Sequence, residues 1–347
     1  GAAALGALGP TRAFAQTPIE TMIPNVLVSP GLREIVEREA NVKITDAPYQ
    51  SGPDSIARLL APGGLSRFNL QFSLTDFARI PILGPSAGEE KVAELDLSKI
   101  PNASKIADVF DPEIVQRDGR IYALPIFMGY NTVLYNPEVV SPDDELTHSW
   151  GAIFEDKYSG RIGWFESAHQ MLVAAALYLG KADPETMDDQ EVVEVGEFLI
   201  SRKRHVRTIW TSFAQGANLL STGEIVATFG PIPVRTQLER EGVPIAASFV
   251  KEGVQSIVGG LFIPRDAAEQ EASHAVIDAI LGDEYGKALP QIAGYISANG
   301  ASGDSMTPEA RAKAGYGIYT GEVKHKSMPI PPNINVWVET WAKVKSA

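Results

Sequence analysis

Short runs of β-branched and aromatic residues alternate with amphipathic helical stretches along this chain, and no other feature restricts its fold as strongly. Residues 41–47 have the pattern of a strand, residues 52–60 that of a helix and residues 68–73 that of the next strand. Such alternation is typical of α/β domains. The 347 residues also exceed the usual size of one domain, roughly 100–200 residues. The sequence therefore predicts an α/β protein with two domains.

The same criteria place the remaining elements. Further helices are expected at residues 32–40, 149–154, 169–179, 188–204, 212–221, 273–281 and 336–345. Further strands are expected within residues 20–28, 118–125, 132–135, 157–163, 223–229 and 258–264. Residues 74–76 are interpreted as a loop, and residues 329–332, which read P-I-P-P, as a stiff linker into the last helix.

The first residues have the character of a targeting segment. Residues 1–10 are small and apolar, and Ala13-Phe14-Ala15 forms an A-x-A sequence before Gln16. We interpret residues 1–15 as the tail of a secretory signal peptide that is cleaved after Ala15. A plain Ala/Gly leader without a targeting role is the alternative. Residues 1–15 are excluded from the fold prediction in either case.

The chain contains no cysteine. It can form no disulfide, offers no thiol nucleophile and has no Cys at the expected mature N-terminus to carry a lipid. We therefore expect a soluble, untethered protein in the periplasm after cleavage near Ala15. A run of about 20 apolar residues, as needed to span a bilayer, is absent. The formal net charge of −13 argues against a nucleic-acid partner, because such binding depends on Lys and Arg.

Known catalytic and metal-binding motifs are missing from the sequence. There is no G-x-S-x-G and no H-E-x-x-H, and the five histidines are scattered without metal-ligand spacing. Residues 282–288 are one residue short of a P-loop and lack its Ser or Thr. The sequence thus favours a binding protein over an enzyme, with no cofactor and no metal.

Short blocks of residues, and the order in which they occur, narrow the prediction further. Residues 118–135 read DGRIYALPIFMGYNTVLY, and residues 149–163 contain S-W followed by Y-x-G-R-I. Further blocks are G-E-I at residues 223–225, K-E-G at 251–253, L-F-I-P at 261–264 and G-Y-I-S-A-N at 294–299. From Thr21 to the C-terminus, this layout resembles the spermidine/putrescine-type solute-binding proteins of ABC importers.

The resemblance implies the two-lobed type II periplasmic binding protein fold, with a hinge of two crossing segments near Met128 and Val258. Residues 16–128 and 258–304 would form lobe 1, and residues 129–257 and 305–347 lobe 2. A small-molecule solute would be held between the lobes by hinge closure. The protein, expected to be a monomer, would deliver it to an ABC permease in the inner membrane. An iron(III)-binding relative and a secreted enzyme on the same fold remain alternatives.

The chain departs from the polyamine-binding pattern of that family. Ammonium groups call for carboxylates and aromatic faces. Residues 24–27 read P-N-V-L where the family has Trp, Glu and Tyr, and residues 257–260 read I-V-G-G where it has Trp and Asp. Asp76 replaces an aromatic residue, whereas Tyr295 is retained. The sequence therefore favours a small polar organic solute, either amino-acid-like, an amine or an organic acid, over spermidine and putrescine.

The candidate ligand contacts lie at strand ends, at helix starts or on the crossing segments. They are Asn25, Thr75, Asp76, Tyr130, Glu166, Ser167, His169, Trp210, Ser212, Gly259 and Tyr295. Several have an ordinary structural explanation as well. Asn25 and Asp76 suit turn caps, and Ser212 suits a helix N-cap. Glu166 suits the dipole of a helix start, while Tyr130 and Trp210 suit the core.

Overall fold

The computed structural model describes residues 16–347. The proposed signal-peptide remnant and its cleavage site after Ala15 lie outside the described residues. Within residues 16–347, no helix is both long enough and apolar enough to cross a membrane.

The described chain alternates strands and helices, as predicted. The strands are β1 Thr17–Met22, β2 Val42–Asp46, β3 Leu70–Leu74, β4 Val115–Arg117, β5 Arg120–Tyr135, β6 Ile162–Phe165, β7 Val206–Trp210, β8 Ala227–Pro231, β9 Ala246–Ser248, β10 Val254–Phe262, β11 Ile296–Ser297 and β12 His325–Ser327. The α-helices are α1 Pro30–Glu39, α2 Gly52–Leu60, α3 Gly64–Arg67, α4 Thr75–Leu83, α5 Ala168–Tyr178, α6 Asp189–Arg202, α7 Phe213–Ser221, α8 Ile232–Arg240, α9 Gln270–Ile280, α10 Asp283–Ile292, α11 Pro308–Ala314, α12 Gly317–Thr320 and α13 Ile334–Ser346.

The main path of the sheet runs β2-β1-β3-β10-β5-β8-β6-β7. At one end β1 pairs in parallel with β2 and β3, and at the other end β6 pairs in parallel with β7 and β8. The strands β10 and β5 lie between these two parallel units and are antiparallel to each other. This is the two-lobed α/β architecture with two crossing segments that the sequence predicted. Met128 of β5 and Val258 of β10, the expected crossing points, are directly paired.

Strand β5 differs from its prediction because it is continuous over 16 residues. The sequence suggested two separate strands on either side of Pro125 and Gly129. In the structure Gly259 pairs with Phe127 and Gly260 with Pro125, so Ile126 has no partner on β10. This β-bulge accommodates Pro125, which cannot donate a ladder hydrogen bond, without ending the strand.

Two other elements differ from their predictions. Residues 74–76, expected to be a loop, lead into helix α4, which includes Pro81 after its first turn. Residues 149–154, expected to be a helix, contain only the 3₁₀ turn Trp150–Ile153, capped by the Ser149 side chain. The last helix, α13, packs against α5 and α6 and buries Trp337 and Trp341, which agrees with its predicted role as a docked terminal helix.

Candidate functional site

A cavity of about 380 Å³ lies where the two halves of the sheet meet the crossing strands. We call it the cleft cavity. Its first-lobe wall consists of Pro24, Val26, Leu27, Tyr49, Gln50, Ser51, Gly52, Phe72 and Leu74. Its floor consists of Phe127, Tyr130, Asn131, Ile257 and Tyr295, and its second-lobe wall of Phe165, Gln170, Phe213, Pro231 and Pro233. The volume is in the range of small-molecule sites, roughly 300–1,000 Å³.

Aromatic rings dominate the floor and the first-lobe wall. Phe127 stacks on Tyr295 with 4.1 Å between ring centroids, and Phe72 stacks on Phe127 at 5.8 Å. Tyr49 meets Phe72 edge-on. The close packing depends on Gly129, where a Cβ atom would lie 2.8 Å from the ring of Tyr295. These rings give the cavity a rigid apolar surface that suits a flat or apolar ligand body.

The second-lobe wall is supported from behind by Trp210, the last residue of β7. Its ring lies 4.5 Å from that of Phe165, and its Nε1 donates to Thr228 Oγ1 at 2.8 Å. Trp210 is completely buried and does not line the cavity. The structure therefore places it in the core, as a support for Phe165, and Phe165 is the ring that reaches the cleft.

The cavity wall carries no formal charge. Among the described residues that line it, none is Asp, Glu, Lys, Arg or His. Burial raises the pKa of the Tyr49, Tyr130 and Tyr295 phenols, which keeps all three neutral. Polarity in this wall comes from amides, from hydroxyls and from helix starts. Helices α2, α4, α5, α7 and α8 all have their N-cap or first turn at the wall.

Three amide residues, of which Asn131 and Gln170 line the cavity and Gln255 lies behind them, are linked where the floor meets the second-lobe wall, and we call them the amide cluster. Asn131 and Gln255 are directly paired across β5 and β10, and Gln255 Nε2 donates to the backbone oxygen of Gln170 at 2.8 Å. The buried atoms Asn131 Nδ2, Gln170 Oε1 and Gln255 Oε1 have no hydrogen-bond partner. Buried amide atoms are normally paired, and leaving one unpaired costs about 1–3 kcal/mol.

Two of the predicted contacts, Tyr130 and Tyr295, line the cavity. Tyr130 is 1% exposed, and its hydroxyl donates to the backbone oxygen of Lys313 at 3.3 Å and accepts from Arg235. Five further candidates are immediate chain neighbours of wall residues. These are Asn25, Thr75, Glu166, His169 and Ser212.

The second-lobe candidates Glu166, Ser167 and His169 have partners elsewhere. Glu166 accepts hydrogen bonds from Trp341 and Lys345 of helix α13, at 3.1 and 2.6 Å. Ser167 caps helix α5. His169 packs against Trp337, and burial lowers its pKa to about 4, so that it is neutral at physiological pH.

The first-lobe candidates Thr75 and Asp76 begin helix α4 beside Leu74, and Gly259 lies behind the rings. The Thr75 hydroxyl donates to Glu113 of the same lobe. A Cβ atom at Gly259 would lie 2.3 Å from the ring of Phe127 and 2.5 Å from that of Phe72. Gly259 thus determines where these two wall rings can sit without touching a ligand itself.

We expect Asp76→Asn to stabilise the protein near neutral pH. Burial, and then the nearby carboxylate of Glu113, raise the pKa of Asp76 to about 6. A carboxyl whose pKa is higher in the folded state loses stability as the pH rises from about 4 to about 6. The substitution should therefore add about 1–2 kcal/mol to the free energy of unfolding near pH 7. Urea unfolding at pH 7 and at pH 4 measures this gain in stability, which should vanish near pH 4. An equal gain at both pH values would contradict it.

The sequence-based candidates omit most of the wall, including Tyr49, Phe72, Phe165 and Phe213. The available signal was their position. Phe72 and Phe165 are near or at the carboxyl ends of strands β3 and β6, and Phe213 opens helix α7. Ligands of open α/β sheets are held at such ends.

The structure also bears on the metal-binding alternative. Within residues 16–347, no three His, Asp or Glu side chains come close enough together to hold a metal ion. Tyr316 is hydrogen-bonded to Ser302, and the hydroxyl of Tyr319 donates to the backbone oxygen of Ser297. Both phenol hydroxyls are thus engaged in hydrogen bonds within the protein.

Comparisons with known proteins agree with this architecture. The model of the bacterial extracellular solute-binding protein family matches residues 71–315. The putrescine-binding periplasmic protein SpuD of Pseudomonas aeruginosa is 23% identical over 339 residues, covering 92% of this chain and 89% of that protein. The spermidine/putrescine-binding periplasmic protein 1 of Haemophilus influenzae is 24% identical over 276 residues, covering 78% and 72%.

A solved structure shows the same fold. The spermidine/putrescine ABC transporter substrate-binding protein PotD of Streptococcus pneumoniae superposes with a TM-score of 0.76 at 15% identity, covering 96% of this chain and 99% of that one. The family match spans most of the chain, and the two-lobed fold encloses a cavity. This chain therefore belongs to the bacterial extracellular solute-binding proteins, which capture solutes for ABC transporters and are not enzymes.

Proposed function

We propose that this protein captures a small polar organic solute in the cleft cavity, closes over it by a hinge motion and delivers it to an ABC permease in the inner membrane. The observation that carries the proposal is the composition of the cavity wall, which takes residues from both halves of the sheet and from both crossing strands. A ligand that contacts both lobes stabilises the closed form, which is how capture is coupled to closure.

The other parts of the proposal follow from the sequence and the relatives. We propose residues 16–128 and 258–304 as lobe 1 and residues 129–257 and 305–347 as lobe 2. The protein acts as a monomer in the periplasm, the compartment named for the relatives from Pseudomonas and Haemophilus. Its acidic net charge of −13 gives no support for a nucleic-acid partner.

The names of the relatives point to polyamines, but the wall of this cavity gives that solute class little support. An alkyl diammonium needs anionic partners at both ends. The acidic candidates do not supply them, because Glu166 is bound to helix α13 and Asp76 lies outside the wall. Amino-acid-like compounds, single amines, organic acids and their neutral derivatives are the classes that a ligand screen should cover.

Native mass spectrometry of the gently purified protein tests the proposal. We expect a stoichiometric small-molecule adduct whose mass is the difference between the native and denatured species. Small-angle scattering should show a smaller radius of gyration with the adduct than after its removal, because closure brings the lobes together. A protein that carries no adduct, and that no compound in such a screen stabilises, would contradict the proposal.

A further inference from the structure

The uncharged wall of the cleft cavity disfavours charged ligands of either sign, and we consider cations first. A buried ammonium costs several kcal/mol unless it is paired. Among the described wall residues no carboxylate is available for pairing. Aromatic faces repay up to about 2 kcal/mol, which does not offset that cost. A cation therefore finds only weak partners at this wall.

Anions find no cationic side chain among the described wall residues, and part of the hydrogen-bonding capacity of the helix starts is already used. Serine side chains cap three of them, with Ser51, Ser167 and Ser212 accepting from the third residue of helices α2, α5 and α7. Helix α4 has Asp76 in its own first turn, and helix α8 begins at Pro231-Ile232-Pro233, where the prolines have no N–H to donate. The described wall also has no Arg, Lys or His.

The wall is suited to a ligand that contains an aromatic ring. Phe72, Phe127 and Tyr295 form one continuous stack on the floor and first-lobe side. Phe165 and Phe213 stand on the second-lobe side, with 6.4 Å between their centroids. A ring between these surfaces would be covered from both lobes, and aromatic contacts add about 0.5–1.5 kcal/mol each beyond the area they bury.

The amide cluster supplies complementary polar groups. Asn131 Nδ2 is an unpaired donor and Gln170 Oε1 an unpaired acceptor, both buried and both on wall residues. Both residues adjoin Gln255, one across the strand pair and one through its backbone oxygen. One ligand group that carries an acceptor and a donor side by side would satisfy both atoms.

From these observations we infer that the solute is an uncharged, ring-bearing compound with a primary amide or a ring lactam, oriented by Asn131 and Gln170. The inference rests on the proposed function and narrows its solute. The ring lies between the aromatic surfaces of the two lobes. The carbonyl of the ligand accepts from Asn131 Nδ2, and its N–H donates to Gln170 Oε1.

Three monosubstituted benzenes of similar size and different charge test the inference. Benzamide is neutral, benzoate is its anionic counterpart and benzylammonium its cationic counterpart. Titration calorimetry on the adduct-free protein should give a dissociation constant for benzamide at least about tenfold lower than for either ion, because each ion leaves a buried amide atom unpaired. Tighter binding of benzoate, benzylammonium or putrescine would overturn the inference and leave the proposed function standing.

A negative charge introduced at Gln170 tests whether this residue determines the ligand selectivity. In Gln170→Glu the acceptor becomes an anion of nearly the same shape, so benzylammonium should gain at least about tenfold in affinity and become the tightest-binding of the three probes. Gln291→Glu, an exposed position on helix α10, is the matched control and should keep the wild-type order. An unchanged order of the three probes in a folded Gln170→Glu protein would overturn the inference.

One further measurement separates the inference from the proposed function. If benzamide fails to bind, the assigned ligand class is wrong. A native adduct that is retained in Gln291→Glu and lost in Phe165→Ala would then still support solute capture in the cleft cavity. If the protein carries no native adduct and binds none of the probes, both the inference and the proposed function are wrong.

Discussion

Replacing Trp210 with alanine should lower the free energy of unfolding by about 3–5 kcal/mol, the usual cost of removing a fully buried Trp. Its ring is completely buried and packs closely against Gly216 and Phe165. Its indole N–H also satisfies Thr228 Oγ1. The loss combines a cavity with a broken buried hydrogen bond. Urea unfolding followed by far-ultraviolet circular dichroism measures it.

Two comparisons make the Trp210 result interpretable. Trp210→Phe keeps a ring but loses the donor, so it should cost less than the alanine variant. Val338→Ala, at a position that is 55% exposed, should change the free energy by no more than about 0.5 kcal/mol. The sequence left open whether Trp210 is a core residue or a ligand wall. A loss of stability below about 1 kcal/mol, together with a large loss of solute binding, would favour the wall.

Gly259→Ala should weaken solute binding at least about tenfold, a loss of about 1.4 kcal/mol in binding free energy. The added methyl group would lie within 2.5 Å of both wall rings, Phe127 and Phe72. Because neither ring can remain where it is, the cavity changes shape. Overpacking of this kind also costs about 1–3 kcal/mol of stability. Calorimetric titration with the solute found by mass spectrometry, and thermal unfolding, measure the two effects.

Gly31→Ala is the matched control for this substitution. A Cβ atom there meets only the mobile end of the Ile292 side chain, at 3.2 Å, and alanine suits the first turn of helix α1. We expect unchanged binding and unchanged or slightly higher stability. If Gly259→Ala behaved like Gly31→Ala, the rings of Phe72 and Phe127 would have to be far more adaptable than their stacked packing indicates.

The sequence predicted the framework well because the framework depends on local patterns. Helix α2 begins and ends where the sequence placed it, since Ser51, Pro53 and the apolar spacing all agree. Helix α4 was missed because its first residues are polar and Pro81 suggests an ending. Continuous pairing along β5 was also missed, because the bulge at Ile126 depends on the partner strand β10.

The predicted contacts fall in segments that line the cleft cavity, but often one residue away from a wall residue. Asn25 adjoins Val26, Glu166 adjoins Phe165 and Ser212 adjoins Phe213. Polar residues were preferred as contacts, whereas this wall selects aromatic ones. For Phe165, the last residue of β6, the adjacent side chain points to the opposite face, so a shift of one position exchanges the cleft for the opposite side. Only tertiary contacts, such as the stack of Phe127 on Tyr295, settle the choice.

The shared ladder of β5 and β10 sets the mechanics of this molecule. Two paired strands resist torsion more than a single loop does, so the proposed hinge motion would have to strain the hydrogen bonds between β5 and β10. The bulge at Ile126 interrupts the pairing of β5 with β10, and it immediately precedes Phe127. In the proposed closure, a change at this bulge would therefore also move the Phe127 ring at the floor of the cleft cavity.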